Sequence, residues 1–376
     1  MNDSSRPVSL LKVQPLEQAI HAPSDVYGSE AVYQQEIDQL FMKEWLFAGR
    51  EEELPNPGDY MALRLVGEPV VLTRDRERHI QAFYNMCAHR GVEVAYGKGN
   101  TRAFKCPYHG WTYDVNGRLK GAHEMDKSQA FDAATSGLRK VRTDTWRGNV
   151  FITFDDDAPP LAEYLADFEA DFAFLHPERC RLGNRISITV DCNWKLVHEN
   201  LMDFYHVNIL HAQTFGARFS WRDEDVLLKK NGGLSIRYKS GPPTPGAKMI
   251  FPKMPWLEQE DDSFATKGYI SPNFALYGRI DCVRPMIVWP LGVGKTELIV
   301  YHLFPEKVFE RPDVQEQLAI YREYQVKVLE EDRSMIESLQ RVMNTRGYKP
   351  GPMSTREKAL HHFLSSHSKR LSGNAS

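Results

Sequence analysis

The spacing of apolar and polar residues divides the chain into a strand-rich first half and a second half that mixes strands with helices. In the first half, short apolar runs are broken by turn residues, a pattern typical of β structure. Asn116 and Gly117 form a dipeptide that strongly predicts a tight hairpin turn. The strand-like runs are residues 60–65, 69–73, 80–86, 138–142 and 149–154.

A polar, proline-containing segment at residues 155–160 predicts a linker, and longer elements follow it. Residues 161–175 carry apolar side chains at helical spacing, and another helix is predicted to start near Asn193. Residues 312 to about 344 predict a long helix. Its apolar stripe consists of Leu318, Tyr321, Tyr324, Val328, Met335 and Leu339. The strand-like runs of this half are residues 186–190, 234–238, 274–280, 283–289 and 296–304.

The composition fits a globular protein large enough for two domains. The chain has 376 residues and a net charge of −3, which gives no basic surface field for binding nucleic acid. No apolar run is long enough to cross a bilayer, and residues 1–10 lack the apolar stretch of a signal peptide. The 5 cysteines are too few and too scattered for a secreted disulfide framework, so we expect a cytoplasmic, reducing location.

Two short cysteine–histidine pairs are the strongest chemical signal in the sequence. Cys87 and His89 form a C-x-H pair, and Cys106 and His109 lie in the run C-P-Y-H-G-W. Thiolates bind soft metals and iron–sulfur clusters, and two imidazoles on one iron raise the potential of a two-iron cluster. A structural zinc site accepts the same ligands, although zinc loops usually place them two to four residues apart. Four unrelated core residues are the third interpretation.

A second group of metal-binding residue types lies about a hundred residues further on. Asp203 and His206 are three apart, which places both on one face of a helix. His206 and His211 are five apart, so joint binding of a metal requires the helix to end or distort near residues 207–210. Two histidines and a carboxylate with open positions form the ligand set of non-haem Fe(II) oxygenases. A histidine on an amphipathic helix is more often structural, so this pattern alone leaves both interpretations open.

Together the two patterns resemble the Rieske non-haem iron oxygenases, specifically their catalytic or alpha subunit. Arg90-Gly91 follows the first histidine and Gly110-Trp111 follows the second, as in the Rieske [2Fe–2S] motif. The later D-x2-H-x4-H run resembles the motif around the mononuclear iron, and Glu199-Asn200 just before it also matches. The resemblance covers most of the chain, with both motifs in the expected order.

The resemblance implies a role for each of these residues. The expected ligands of the [2Fe–2S] cluster are Cys87, His89, Cys106 and His109. His206 and His211 are the expected histidine ligands of the mononuclear Fe(II). Asp332 falls at the position of the third ligand, and its competitors in the same charged run are Glu330, Glu331 and Glu337.

The resemblance also implies two catalytic residues that do not bind the iron directly. Asn200 is one of them, by its place in the motif. Asp203 is the other, as the acid that accepts hydrogen bonds from His206 and from His109 of a neighbouring subunit. A carboxylate between two imidazoles fixes both rings and gives electrons a short bonded route.

By the same resemblance, the fold is α+β, with a β-rich Rieske domain and a catalytic domain. An antiparallel sheet in the catalytic domain is expected to wrap around the long C-terminal helix. Residues 1–45 are expected to pack on the catalytic domain, residues 46–157 to form the Rieske domain, and residues 158–376 to form the catalytic domain. Electron transfer between subunits favours a head-to-tail homotrimer, because heterologous contacts must close into a ring.

The leading functional hypothesis is a terminal oxygenase that acts on a small organic substrate with O₂. Electrons would come from NAD(P)H indirectly, through a separate flavin reductase, a ferredoxin or both, because the chain has no dinucleotide or flavin fingerprint. Monooxygenation with oxidative N- or O-dealkylation is favoured. The alternative is ring (di)hydroxylation of an aromatic acid or hydrocarbon. Either activity belongs to aromatic compound catabolism or xenobiotic degradation.

Two interpretations from other classes remain at this point. One is a Rieske electron carrier without catalysis, which the length of the chain disfavours, since about a hundred residues suffice for a cluster domain. The other is a zinc-stabilised structural protein. Among the remaining candidates, Cys180, Cys192 and Cys282 are interpreted as buried apolar residues. His361, His362 and His367 are predicted to be exposed in a polar tail.

Overall fold

The computed structural model describes residues 11–216, 219–222 and 225–372. These residues form two compact units. Residues 42–164 make up the smaller unit, and the described residues before and after them make up the larger one. Within the described ranges, no helix combines the length and the apolar composition needed to cross a membrane.

The smaller unit is built mainly from short antiparallel strands. They are β1 (Leu46–Arg50), β2 (Asp59–Leu65), β3 (Glu68–Arg74), β4 (Ile80–Tyr84), β5 (Lys98–Asn100), β6 (Ala103–Lys105), β7 (Thr112–Asp114), β8 (Leu119–Gly121), β9 (Lys140–Trp146) and β10 (Asn149–Thr153). One sheet has the order β1-β10-β9-β4-β3-β2-β5, and β6, β7 and β8 form another. Helix α3 (Leu161–Tyr164) ends the unit.

The hairpin between β7 and β8 holds the core of this unit together. Gly117 has φ +75°, and a Cβ atom there would lie 2.5 Å from the ring of Phe83, so only glycine fits. The predicted turn at Asn116 and Gly117 is therefore confirmed. Around it lies an apolar cluster that includes both motif cysteines: Val71, Phe83, Cys87, Val94, Ala95, Phe104, Cys106, Trp111, Tyr113 and Leu138.

The larger unit contains one antiparallel sheet with the order β11-β17-β16-β15-β14-β13-β12. Its strands are β11 (Cys180–Val190), β12 (Val226–Leu228), β13 (Leu234–Lys239), β14 (Phe264–Ile270), β15 (Phe274–Arg279), β16 (Val283–Gly292) and β17 (Lys295–Pro305). Its helices are α1 (Asp25–Gly28), α2 (Glu30–Glu36), α4 (Ala166–Phe172), α5 (Trp194–Met202), α6 (Val207–Leu210), α7 (Val314–Met343) and α8 (Lys358–Leu371). The expected α+β fold is confirmed.

The long helix α7 lies against the sheet and is fixed there by hydrogen bonds. Tyr321 donates to Asp281 Oδ2 (2.5 Å), in the turn between β15 and β16. Asn184 of β11 donates to the carbonyl of Leu318 (2.8 Å). Because α7 is attached at several points, its buried face has a fixed position relative to the strands.

A buried carboxylate joins helices from distant parts of the larger unit. Glu36 of α2 accepts hydrogen bonds from Trp194 Nε1 (2.7 Å), Lys195 Nζ (2.5 Å) and His367 Nε2 (2.8 Å). Glu36 and Lys195 have no exposed surface. A buried carboxylate is stable only with partners of this kind. The three hydrogen bonds to this one carboxylate therefore hold α2, α5 and α8 together.

Several predictions for the second half are wrong. The polar tail is the helix α8, whose apolar face is buried, and His367 is only 4% exposed. Histidine and serine residues are interspersed with the apolar residues there, so the sequence did not indicate an amphipathic helix. Conversely, Met335 and Leu339 of the predicted apolar stripe are 48% and 47% exposed. Strand β14 was not predicted. Cys180, Cys192 and Cys282 are buried as expected.

Gly268→Ala tests the close packing of α4 on β14. A Cβ atom at Gly268 would lie 2.3 Å from the ring of Phe172. We expect a destabilisation of about 1–3 kcal/mol from overpacking, measured by chemical denaturation. Gly294→Ala is the matched control, because no atom lies within 4 Å of that position. Equal stability of the two variants would show that the contact is not rigid.

Candidate metal centres

Two loops with the same hydrogen-bond pattern carry the cysteine–histidine pairs. In each loop the cysteine amide donates to the carbonyl five residues later, at 2.8 Å for Cys87 and 2.7 Å for Cys106. A glycine four residues after each cysteine donates back to its carbonyl, at 2.8 Å for Gly91 and 3.1 Å for Gly110. These glycines have φ +79° and +74°, a conformation that glycine adopts without strain. The local sequence therefore folds both pairs into equivalent turns.

The cysteines of this centre are buried and its histidines are exposed. The Nδ1 atoms of His89 and His109 lie 3.1 Å apart, so both imidazoles point to a common position. The ring of His89 stacks on Trp111 with centroids 5.0 Å apart, which restricts its orientation. Two thiolates inside and two imidazoles at the surface fit the ligand set of a Rieske cluster.

Tyr113 adds a hydrogen bond to this centre. Its hydroxyl lies 3.1 Å from Cys87 Sγ and accepts from the amide of Ala88 at 3.0 Å. Burial, followed by the hydrogen bond with Cys87, raises the pKa of Tyr113, so the hydroxyl keeps its proton and can donate to a Cys87 thiolate. Hydrogen bonds to cluster sulfurs are one of the means by which a protein sets the reduction potential.

A second centre forms where helix α5 ends. The helix begins at Asn193, whose side chain accepts from the amide of Lys195 (3.1 Å). It stops at Met202, because Asp203 is extended and its Oδ1 accepts from the amide of Tyr205 (2.6 Å). His206 lies just before α6. The helix is thus interrupted at residues 203–206, and the short α6 ends at Leu210. The predicted end or distortion near residues 207–210 is confirmed at Leu210, and the larger interruption lies just before α6.

His206, His211 and Asp332 converge at this break. The Nε2 atom of His211 lies 3.0 Å from Asp332 Oδ1, and that of His206 lies 3.5 Å from the same oxygen. One ligand atom from each residue falls within 4.8 Å of the others. Asn200 Nδ2 donates to Asp332 Oδ1 at 3.0 Å. Two imidazoles and one carboxylate on a common position fit a mononuclear iron.

Carboxylates outside this cluster fix the orientation of both imidazoles. His206 Nδ1 donates to Asp203 Oδ2 (3.0 Å), and His211 Nδ1 donates to Glu331 Oε2 (2.7 Å). Because carboxylates accept these bonds, each Nδ1 carries a proton, and each Nε2, which faces Asp332, is the atom that would bind a metal in place of its own proton. Thr214 Oγ1 donates to Glu331 as well (3.0 Å). Asp203 and Glu331 therefore contact the Nδ1 atoms of the candidate ligands and lie outside the candidate metal position.

The electrostatics of the second centre favour a bound cation. Burial opposes ionisation of Asp332, but its hydrogen bonds with His206 and His211 outweigh burial and lower its pKa to about 2. Burial likewise opposes protonation of His206, yet hydrogen bonds with Asp203 and Asp332 raise its pKa to about 9. Three carboxylates surround two imidazoles, so the position between them attracts positive charge.

The other residues singled out in the sequence have different partners. Glu199, next to Asn200, accepts from the hydroxyl of Tyr27 (2.8 Å), and burial raises its pKa to about 8. Glu330 and Glu337 both pair with Arg333, at 3.2 Å and 2.8 Å. Neither competitor faces the histidines.

A cavity of about 70 Å³ lies beside the second centre and contains residues that sequence reasoning missed. Besides His206, His211 and Asp332, its lining includes Lys267, Arg279 and Arg284 of the sheet. The sequence signal for these residues was that each basic side chain lies at an alternating, inward-facing position of an apolar strand. Lys267 was overlooked because β14 was not recognised as a strand. Arg279 and Arg284 lie in strands that were predicted, but the sequence does not show that their face lines the metal site.

One unit holds two cysteines with two histidines, and the other holds two histidines with a carboxylate beside a cavity. Together these sites define an oxygen-activating non-haem iron enzyme with an iron–sulfur centre. Residues 44–138 match the family described as Rieske [2Fe-2S] domain. Residues 177–373 match the family described as ring hydroxylating alpha subunit (catalytic domain). The chain belongs to this alpha-subunit family and is a Rieske non-haem iron oxygenase.

Its cofactors are a Rieske [2Fe–2S] cluster and a mononuclear iron. The alternatives of an electron carrier without catalysis and of a zinc-stabilised structural protein are therefore wrong.

Known relatives agree with this assignment. The glycine betaine monooxygenase oxygenase subunit of Pseudomonas aeruginosa (strain UCBPP-PA14) is 27% identical over 387 residues, covering 94% of this chain and 89% of the relative. The N,N-dimethyl phenylurea N-demethylase subunit alpha of Sphingobium sp. (strain YBL2) is 34% identical over 238 residues, covering 61% of this chain and 51% of the relative. A crystal structure of the quaternary ammonium Rieske monooxygenase CntA shares the fold, with a TM-score of 0.78, 22% identity, and coverage of 95% and 99%.

Three consecutive acidic residues of α7 test the metal site. We expect Asp332→Asn to abolish tight binding of one Co(II) per chain to metal-depleted protein, because it removes a ligand. Glu331→Gln acts through His211 and should weaken binding by about 10–100-fold. Glu330→Gln is the control and should bind as the unchanged protein does, because Glu330 is exposed. Calorimetric titration gives the three affinities, and any other order would contradict the site.

Proposed function

We propose that this oxygenase is the terminal component of a system that removes N- or O-alkyl groups by monooxygenation. Support comes from the N-demethylase and the betaine monooxygenase among its relatives, together with a metal-binding triad that opens into a cavity. In such a reaction O₂, two electrons and two protons convert N–CH₃ to N–CH₂OH and water. The hemiaminal then breaks to the amine and formaldehyde.

In this proposal each centre is held by the residues described above. Cys87, His89, Cys106 and His109 hold the cluster, while the mononuclear iron is held by His206, His211 and Asp332. When bound, the cluster supplies single electrons and the iron activates O₂. Asn200 positions the Asp332 carboxylate through their hydrogen bond of 3.0 Å. The domain limits predicted from the sequence, residues 1–45, 46–157 and 158–376, are part of the same proposal.

Asp203 is proposed to connect the two kinds of centre between subunits. Its carboxylate accepts from His206 Nδ1 and keeps 20% of its side-chain surface exposed, so one more hydrogen bond can reach it. His109 is exposed at the tip of the cluster loop. A hydrogen bond from His109 of a neighbouring copy to Asp203 would complete a bonded route from cluster to iron ligand.

An apolar groove beside Asp203 supports docking of a second copy. The groove has a volume of about 800 Å³, and its lining includes Tyr205, Ile209, Met335 and Leu339. Ile209 is 83% exposed, which is unusual for a large apolar side chain without a partner. A copy that docks by its cluster loops would cover these residues and bring His109 to Asp203. Repetition of this heterologous contact closes a ring, for which we propose a homotrimer.

The remaining parts of the proposal concern the cell. We propose that a ferredoxin, a flavin reductase or both deliver electrons from NAD(P)H, and that the enzyme works in the cytoplasm. The scattered cysteines, all free and buried, suit a reducing compartment.

Asp203→Asn tests the bridge. We expect the variant to keep about three irons per chain and an unchanged cluster spectrum. Product formation should fall by about 100-fold or more, because the amide cannot accept from both imidazoles in the same way. In a single-turnover experiment the reduced cluster should reoxidise slowly with substrate and O₂. Asp313→Asn, a partly exposed acid paired with Arg311, is the control. Normal turnover of Asp203→Asn would exclude the bridge.

The reaction type is tested by product analysis with a surrogate reductase. N-methyl and O-methyl aromatic compounds should yield about one formaldehyde per O₂ consumed, by the stoichiometry given above. Ring dihydroxylation would give a diol from the same compounds without formaldehyde. Detection of the diol as the main product would therefore replace dealkylation by the alternative that the sequence left open.

A further inference from the structure

We propose that the substrate carries a carboxylate, and that Arg279 and Arg284 bind this charged end within the cavity beside the metal ligands. The inference rests on the proposed function and names the substrate class of that same site. It also separates this enzyme from one that takes a quaternary ammonium compound without an acid group.

The sheet places three basic side chains on the face that lines the cavity. Lys267 of β14, Tyr277 of β15 and Arg284 of β16 stand opposite one another in the antiparallel register. Arg279 follows Tyr277 by two positions, so strand alternation puts it on the same face. Lys267, Arg279 and Arg284 line one cavity with Asp332. A ligand held by the arginines thus lies next to the metal site.

Both arginines are buried with part of their hydrogen-bonding capacity unused. Each is only 4% exposed. Arg279 Nη1 donates to the carbonyl of Gly241 (3.2 Å), and Arg284 Nη1 donates to Gln325 Oε1 (2.5 Å). The Nε atom of each has no partner among the described residues. A guanidinium carries a planar fork of donors that matches a carboxylate, so two incompletely used forks form a binding site for one.

Within the described part of the chain, no carboxylate neutralises this pair. Asp281, in the turn between β15 and β16, forms no ion pair with either arginine and accepts from Tyr321 instead (2.5 Å). Even at longer range one carboxylate can compensate only one of two guanidinium groups. Asp203 and Asp332 are engaged by the histidines. Buried charges of one sign are costly unless paired, and a bound anion provides the missing partner.

Lys267 also occupies the place that would suit a quaternary ammonium group. Its Nζ atom lies 4.0 Å from the ring centroid of Phe204, 5.3 Å from that of Tyr277 and 6.0 Å from that of Tyr238. Three aromatic faces around a cation are the usual receptor for a methylated ammonium. Here the side chain of Lys267 fills it, held by a hydrogen bond to the carbonyl of Leu201 (2.6 Å), and burial lowers the pKa of Lys267 to about 7. A ligand cation would have to displace this side chain from the rings.

Three probes with the same phenyl ring and different charge test the proposal. Benzoate, benzamide and phenyltrimethylammonium are titrated calorimetrically into the anaerobic holoenzyme. We expect benzoate to bind at least about tenfold more tightly than benzamide, through charge-assisted hydrogen bonds, and phenyltrimethylammonium to bind weakest. Iron content and the cluster spectrum of the same sample report on the proposed oxygenase function separately.

Substitutions then assign the preference to the arginines. Arg279→Met and Arg284→Met should each reduce the preference for benzoate to about threefold or less, because each removes one fork. Arg237→Met is the matched control, since Arg237 precedes Tyr238 on β13 and is exposed on the opposite face. If the methionine variants do not fold, the order of the affinities of the unchanged enzyme for the three probes still tests the proposal.

Several results would overturn the proposal. They are equal affinity for benzoate and benzamide, tighter binding of phenyltrimethylammonium, and no binding of benzoate at millimolar concentrations. A benzoate preference that survives both methionine variants would remove the arginines from the site. Any of these results with three irons and a normal cluster would leave the oxygenase function standing and reject only the substrate class.

Discussion

The catalytic unit depends on one constraint, namely that a single carboxylate oxygen of Asp332 must reach the imidazoles of His206 and His211 at the same time. The two histidines flank the short helix α6, just after the interruption at residues 203–206, and the aspartate lies in the middle of the long helix α7. Asp203 ends α5 through its bond to the next turn, and Gly216 permits the tight path that follows, since a Cβ atom there would lie 2.3 Å from a backbone oxygen. Hydrogen bonds between α7 and the sheet fix the position of Asp332. Loss of the contacts that hold either the histidines or Asp332 would separate these three side chains.

Much of this arrangement could be predicted where the information is local. The candidate cluster ligands of each pair lie within three residues of one another, and the glycines that shape their loops are part of the same motif. Asp332 was harder, because Glu330, Glu331 and Glu337 carry the same charge on the same helix. Only the direction in which each side chain leaves α7 separates them: Glu331 contacts the outer nitrogen of His211, whereas the other two turn to Arg333.

The features that were missed depend on pairing between distant residues. Helix α8 is fixed by the buried Glu36, far away in the sequence, and nothing in the alternation of histidine, serine and apolar residues reveals that partner. Strand β14 contains both Lys267 and Gly268, two residue types that disfavour strands. They are accommodated because the lysine reaches a helix carbonyl and the glycine leaves room for α4. Tertiary contacts override local preference in both elements.

Lys267 has a consequence for how this enzyme can change during evolution. The same Lys267 side chain that lines the cavity also donates to the last turn of α5, the helix that contains Asn200 and is followed by Asp203. Tyr277 shares that carbonyl at 3.0 Å, so the helix end has two supports. Adaptation to a new ligand by loss of Lys267 would thus disturb the support of Asn200 and Asp203 together with the pocket. Met286, which lines the cavity without supporting α5, offers a less constrained path to altered specificity.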